Sequence, residues 1–188
     1  HNDSFPGSHP LAVGPLGYNG SKAAMQLISK ADVVLALGTR LNPFSTLPGY
    51  GIDYWPKDAS IIQVDMNPDR IGLTKKVTVG IEGDAKQVAK QILDKLSSNA
   101  GDIGREDRKN LIHQTKSAWL QTLTSLDHED DDPGTVWNKE ARERDKDRMS
   151  PRQAWRAIQA AIPNDAIISS DIGNNCAIGN AYPTFEKP

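Results

Sequence analysis

Short unbroken runs of apolar residues alternate, over the first half of the chain, with segments whose apolar residues recur at helical spacing. One run, five residues long, lies between Asp32 and Gly38, and a second spans Ser60 to Asp65. Apolar runs without alternation are typical of strands that are buried on both faces of a parallel sheet. A third, shorter strand is predicted from Val77 to Ile81.

Two helices are predicted around these strands, each with a recognisable start. Ser21 is expected to cap the first helix, and Asp84, followed three residues later by Gln87, to cap the second. The expected buried stripe of the second helix consists of Val88, Ala89, Ile92 and Leu96. Strands and helices that alternate predict an α/β fold, a doubly wound Rossmann-like parallel sheet. Residues 39–59, rich in proline and glycine, are expected to be a long surface loop.

The second half of the chain predicts two further helices separated by a charged stretch. Leu111 to Leu126 offers an apolar side, and a helix capped by Ser150 should bury Trp155, Ile158, Ala161 and Ile162. Residues 127–148 hold nine acidic and five basic residues, which predicts a mobile linker or a solvated excursion. A strand is expected from Asp165 to Ser170. The predicted divisions are therefore 1–99 for the α/β domain, 100–149 for a helix and linker, and 150–188 for the helix-strand start of a second α/β domain.

Charge and composition exclude several classes of partner. A net charge of −2 gives no electrostatic reason to expect nucleic acid or an anionic membrane. No apolar run approaches the length of a membrane span, and no apolar targeting segment is apparent, so the cytoplasm is the expected compartment. The histidines are scattered, and no histidine or cysteine spacing predicts a transition-metal site.

Three segments are candidates for ligand binding. Gly14, Gly17 and Gly20 precede a helix, where glycines permit a phosphate to approach the backbone, or simply permit a tight turn. Gly38, Arg40 and Asp65 follow buried strands, at the edge where open α/β sheets bind ligands. In the alternative, Arg40 pairs with a local carboxylate and Asp65 caps the next turn.

The third candidate is the turn from Asp171 to Asn175. Its carboxylate, glycine and amides, Asp171, Gly173, Asn174 and Asn175, are suited to gripping a polar cofactor. An ordinary asparagine-rich turn is the alternative.

The order of several phrases resembles the superfamily of thiamine-diphosphate enzymes that includes acetolactate synthase and pyruvate oxidase. The phrases are His9-Pro10 with Gly14-Pro15-Leu16-Gly17, Ala31 to Arg40, Ile61 to Asp65, and Gly83-Asp84-Ala85. Within the superfamily, the acetyltransferases that act on sulfoacetaldehyde are the most similar, through Leu47 to Lys57, Asp171 to Asn174 and Phe185 to Pro188. The resemblance covers most of the chain outside residues 100–149.

The resemblance implies three α/β domains, of which this chain would hold the central one and the opening of the diphosphate-binding one. The complete enzyme would use thiamine diphosphate and magnesium to convert sulfoacetaldehyde and phosphate into acetyl phosphate and sulfite, and would be a homo-oligomer. Asp171, Gly173, Asn174 and Asn175 would line the cofactor cleft. The resemblance assigns no catalytic residue and no magnesium ligand to this chain, so the chain alone is expected to be inactive.

Some relatives hold FAD or ADP in the central domain, through positions that match Gly17, Gly20, Gly38, Arg40, Asp65 and Asp84. Here Leu41-Asn42-Pro43 follows Arg40 where those relatives often place an aromatic residue, which argues against a flavin. Two alternatives to the sulfoacetaldehyde reaction stay open. One is another reaction of the acetolactate synthase or pyruvate oxidase kind, and the other is a stand-alone module that binds FAD or ADP.

Overall fold

A computed structural model describes residues 4–17, 20–96, 104–128, 149, 151–169, 171, 173, 178–179 and 182–187. Its strands are β1 (Val33–Leu37), β2 (Ser60–Asp65) and β3 (Val79–Glu82). Its helices are α1 (Lys22–Ile28), α2 (Ala85–Leu96), α3 (Arg105–His128) and α4 (Pro151–Ala161). Two short 3-10 helices, Pro43–Ser45 and Pro68–Arg70, lie in the loops that follow β1 and β2.

The three strands form one parallel sheet in the order β1-β2-β3. Leu37 pairs with Val64, and Asp65 pairs with Glu82, so the carboxyl ends of the strands lie at the same edge. The α/β fold class, the parallel sheet and the bounds of β1 and β2 are thereby confirmed. β3 starts at Val79, two residues later than predicted. Thr78, just before it, donates its N–H to the Ile61 carbonyl at 2.8 Å, and its hydroxyl accepts the Ile61 N–H at 3.2 Å.

β2 is buried on both faces, as predicted, but β1 is not. Val33, Leu35 and Leu37 alternate with more buried residues and are exposed, Val33 by 53%. β1 is an edge strand of the described sheet, and its other face packs in a cluster with Leu41 and Ile61. An unbroken apolar run therefore did not distinguish a strand covered on one face from one covered on both.

Both helix caps of the first domain form as predicted. The Ser21 hydroxyl accepts the Ala24 N–H at 3.3 Å, and the Asp84 carboxylate accepts the Gln87 N–H at 2.9 Å. The predicted stripe of α2 is only half-buried, and Leu96 is exposed. Leu96 belongs to the last turn of the helix, and the sheet that α2 covers is only three strands wide.

The predicted surface loop, residues 39–59, is a loop, but part of it packs into the core instead of lying at the surface. Leu41, Thr46 and Tyr54 are buried, and the Tyr54 hydroxyl donates to the Ser45 carbonyl at 3.4 Å. Proline and glycine interrupt regular structure but do not prevent a segment from packing when its polar groups find local partners. This segment, the 41–59 loop, covers the glycine turn that precedes α1.

α3 packs against α1 rather than against the sheet. Ala23 of α1 contacts Trp119 and Leu123 of α3 in a second core cluster, which Val13 and Tyr182 complete. Asp127 and His128 are the last residues of α3, and the remainder of the charged stretch, 129–148, lies outside the described residues.

The predicted strand from Asp165 to Ser170 is not formed over residues 165–169. A strand needs a neighbour to satisfy its backbone groups, and no described residue pairs with this segment. Ile167 is accordingly 98% exposed. The helix before it is confirmed, although Ile158 and Ala161 are exposed. Ser150, the predicted cap, lies outside the described residues. Within the described segments, no helix has both the length and the apolarity needed to cross a bilayer.

The glycine turn gives the first testable prediction. Gly17 has a φ of +100°, and a Cβ there would lie 2.6 Å from the Phe44 carbonyl oxygen. Gly17→Ala is expected to lower the free energy of unfolding by about 2–4 kcal/mol, from backbone strain and overpacking together. Gly51→Ala is the matched control, since Gly51 also has a positive φ but no atom within 4 Å of its Cβ position. Urea denaturation should give a loss of about 1 kcal/mol for the control; equal losses would contradict the role of close packing.

Candidate functional site

The glycine turn before α1 is closed by its own backbone. The Gly20 N–H donates to the Gly17 carbonyl at 2.8 Å, and the Ser21 N–H donates to the Pro15 carbonyl at 2.7 Å. A phosphate cradle needs amides that point at the ligand, whereas these two are occupied within the turn. The geometry of Gly17 and Gly20 therefore favours the tight-turn interpretation for these amides.

The carboxyl ends of the three strands are joined side by side. The Gly38 N–H donates to the Val64 carbonyl at 2.9 Å, and the Gly83 N–H donates to the Asp65 carbonyl at 3.0 Å. A Cβ on Gly38 would lie 3.5 Å from the Ala85 Cβ, so the turn after β1 lies against the first residue of α2. Gly38, Asp65 and Asp84 are thus brought to one edge of the sheet.

The two charged candidates at this edge differ in their surroundings. Asp65 is buried, and its Oδ1 accepts the Asn67 N–H at 2.9 Å, so its side chain caps the turn after β2. Arg40 is exposed, and the chain beside it is held by a hydrogen bond from the Leu41 N–H to the Thr39 hydroxyl. Asp65 has the turn-capping contact that the alternative interpretation required.

Gln63 is a site residue that the sequence analysis did not single out. Its side chain is 1% exposed and lies in the middle of β2. Nε2 donates to the carbonyls of Thr39 and Arg70 at 3.0 and 3.1 Å, and Oε1 accepts the Gly72 N–H at 2.9 Å. One buried amide therefore fixes the loop after β1 to the loop after β2. The signal in the sequence was a glutamine inside an otherwise apolar strand.

Two tyrosines fix the 41–59 loop over the glycine turn and α3. The Tyr50 hydroxyl donates to the Gly20 carbonyl at 3.1 Å, and its ring meets Trp119 edge-on, with 5.5 Å between ring centroids. Burial raises the pKa of both the Tyr50 and the Tyr54 hydroxyl, because the phenolate would lose its hydration. Both hydroxyls therefore remain protonated donors at neutral pH.

The Asp171 turn is described only in part. Asp171 is exposed, and Gly173 has a φ of +109° with no atom within 4 Å of its Cβ position. Asn174 and Asn175 lie outside the described residues. Across the part of the chain that the structure describes, no group of three or more histidine, cysteine, aspartate or glutamate residues could hold a metal ion.

Comparison with known proteins adds to this geometry. Residues 1–92 match the family described as thiamine pyrophosphate enzyme, central domain. The matched range contains the parallel sheet, α1, the start of α2 and the strand-end edge. Residues 1–92 belong to the thiamine pyrophosphate enzyme family. This family's enzymes use thiamine diphosphate, which was the cofactor implied by the sequence resemblance.

Three curated relatives carry names of enzymes. The probable sulfoacetaldehyde acetyltransferase of Rhizobium meliloti is 80% identical over 187 residues, which cover 100% of this chain and 32% of the relative. The sulfoacetaldehyde acetyltransferase of Roseovarius nubinhibens is 77% identical, again over 100% of this chain and over 31% of the relative. An acetolactate synthase large subunit of Corynebacterium glutamicum is 27% identical, over 98% of this chain and 26% of the relative.

The chain thus spans about a third of the length of the two more similar relatives, 32% and 31%. The family match ends within α2, whereas the alignments to the two acetyltransferases continue through α3 and α4. The second half of the chain therefore resembles those two relatives although it lies beyond the matched central domain.

The second prediction concerns Gln63. Gln63→Leu should keep the side-chain volume but leave two carbonyls and one N–H without their partner inside the protein. The expected loss in the free energy of unfolding is about 3 kcal/mol, measured by urea denaturation. Gln26→Leu, on the exposed face of α1, is the control and should change stability by no more than about 0.5 kcal/mol. A Gln63 variant as stable as the control would show that the amide does not hold the two loops.

Proposed function

We propose that this chain is the central part of an acetyltransferase that converts sulfoacetaldehyde and phosphate into acetyl phosphate and sulfite. The observation that carries the proposal is the identity of 80% and 77%, over the whole chain, to two relatives named for sulfoacetaldehyde. The 27% identity to an acetolactate synthase subunit supports that sister reaction much less.

In this proposal the chemistry belongs mainly to parts of the enzyme other than the described residues. Thiamine diphosphate, when bound, supplies the carbanion chemistry. Of the candidate turn, the structure describes Asp171, which is exposed, and Gly173, which has a positive φ. We assign Asp171, Gly173, Asn174 and Asn175 to the cofactor cleft, and magnesium to ligands outside the described residues.

The remaining candidate residues have a structural role in this proposal. Gly17 and Gly20 permit the closed turn under the 41–59 loop, while Gly38, Arg40 and Asp65 mark the strand-end edge that Gln63 holds together. The geometry gives no specific support to a stand-alone module for FAD or ADP. The occupied amides of Gly20 and Ser21 and the capping contact of Asp65 weigh against it.

The proposal extends to assembly and compartment. A homo-oligomeric enzyme is supported by the exposed apolar face of β1, formed by Val33, Leu35 and Leu37, because such a face favours contact with another surface. The cytoplasm is the compartment proposed for a metabolic enzyme with these small-molecule substrates.

The third prediction tests the reaction. The protein expressed from the complete gene, supplied with thiamine diphosphate, magnesium and phosphate, is expected to release sulfite from sulfoacetaldehyde and to form acetyl phosphate in equal amount. Sulfite is measured by a thiol-exchange colour reaction, and acetyl phosphate by hydroxamate formation. Pyruvate, with acetolactate as the measured product, is the control substrate. Consumption of pyruvate without any sulfite from sulfoacetaldehyde would replace this proposal with the sister reaction.

The fourth prediction tests the Asp171 turn in the same complete enzyme. Asp171→Asn is expected to raise the concentration of thiamine diphosphate needed for half-maximal activity by about tenfold or more, because a charged contact in the cofactor cleft is lost. Asp165→Asn, an exposed carboxylate six residues earlier, is the matched control and should leave that concentration unchanged. An unchanged requirement in Asp171→Asn, at unchanged thermal stability, would remove this residue from the cofactor cleft.

A further inference from the structure

A cleft lies away from the strand-end edge. It is a cleft of about 440 Å³ between the segment from Ser4 to Pro15, helix α3, and the segment from Tyr182 to Phe185. Gly38, Arg40 and Asp65 do not line it. Its volume falls within the range that small-molecule sites in proteins occupy. The proposed acetyl transfer assigns no role to this cleft.

The lining of the cleft is aromatic and carries only positive charge. Trp119 and Leu120 come from α3, Phe5 from the N-terminal segment, and Tyr182 and Phe185 from the C-terminal one. Among the described residues that line the cleft, Lys116 and Arg156 are the charged ones, and none is an aspartate or a glutamate. A cleft of this kind is complementary to an aromatic molecule that carries a negative charge.

Lys116 is placed to meet such a charge. Its Nζ lies 3.3 Å from the His9 carbonyl oxygen, so the ammonium extends from α3 to the opposite wall of the cleft. The His9 carbonyl accepts one N–H of the Lys116 ammonium, which carries three. Arg156, a residue of α4, has its guanidinium carbon 5.2 Å from the centre of the Tyr182 ring.

The walls of the cleft are fixed by backbone and side-chain hydrogen bonds. The Gly7 N–H donates to the Phe185 carbonyl at 2.7 Å, and the Ser8 N–H donates to Glu186 at 3.1 Å. The Thr184 N–H donates to Gln159 of α4 at 2.8 Å, and the Tyr182 hydroxyl donates to the Leu123 carbonyl of α3 at 3.3 Å. A ligand therefore meets preformed walls, which reduces the entropy lost on binding.

We propose that this cleft binds a flat aromatic anion, with its ring against Trp119 and Leu120 and its acidic group at Lys116. The proposal rests on the lining and its charge, and is independent of the acetyl-transfer reaction. The anionic oxygens of a carboxylate, a sulfonate or a phosphate ester all accept hydrogen bonds from an ammonium, and the ring supplies the apolar contact.

The test uses the 188-residue protein and naphthalene-2-sulfonate as the probe, with calorimetry as the measurement. Binding with one probe per chain is expected. Naphthalene-2-methanol, which is neutral, and sulfate, which lacks the ring, should each bind at least about tenfold more weakly, since each retains only one of the two contacts. Absence of probe binding, or equal binding of the neutral compound, overturns the proposal.

Two variants locate the probe. Lys116→Gln should weaken probe binding by about tenfold or more, whereas Lys109→Gln, which removes the same charge from α3 outside the cleft, should not change it. Leu120→Ser should also weaken binding, with Leu93→Ser on the exposed face of α2 as its control. An unchanged thermal transition in the Lys116 and Leu120 variants checks that both still fold. Equal effects of Lys116→Gln and Lys109→Gln would place the probe elsewhere.

Discussion

Parallel pairing of β1 and β3 with the buried strand β2 is the constraint on which the rest of the first domain depends. β2 contributes both the backbone carbonyls that receive Gly38 and Gly83 and the Gln63 side chain that holds the loops after β1 and β2. A buried amide with several partners is costly to disrupt, because each backbone group that it serves would be left without a hydrogen bond. The arrangement of the strand-end edge therefore depends more on the hydrogen bonds of β2 than on the charged residues around it.

The elements that could be predicted from sequence are those whose cause is local. The bounds of β1 and β2, and the caps Ser21 and Asp84, follow from apolar runs and from side chains that satisfy nearby N–H groups. What could not be predicted depends on partners distant in sequence. The exposure of Val33, the burial of Tyr54 in a proline-rich loop, and the unpaired segment at Ile167 each depend on which element lies across from them.

The same distinction applies to the candidate site. Gly38, Asp65 and Asp84 could be predicted to share an edge, because parallel strands bring their carboxyl ends together. The sequence left the use of Asp65 open between ligand binding and turn capping, and its contact with the Asn67 N–H favours capping. The amides of Gly20 and Ser21, in the glycine turn before α1, are likewise engaged by local backbone. Gln63 was overlooked because its importance comes from three backbone groups in two different loops, none of which is adjacent to it in sequence.

The strand-end edge and the cleft beside α3 differ in the charged side chains that they contain, and that difference separates their proposed roles. At the strand-end edge, the buried Asp65 carboxylate accepts a hydrogen bond from the amide of its own turn, which stabilises the local backbone. In the cleft beside α3, the charged residues among the described lining are the two cations Lys116 and Arg156, and they stand beside an aromatic surface. An anion is therefore attracted to the cleft more than to the strand-end edge, where the buried side chain is itself a carboxylate.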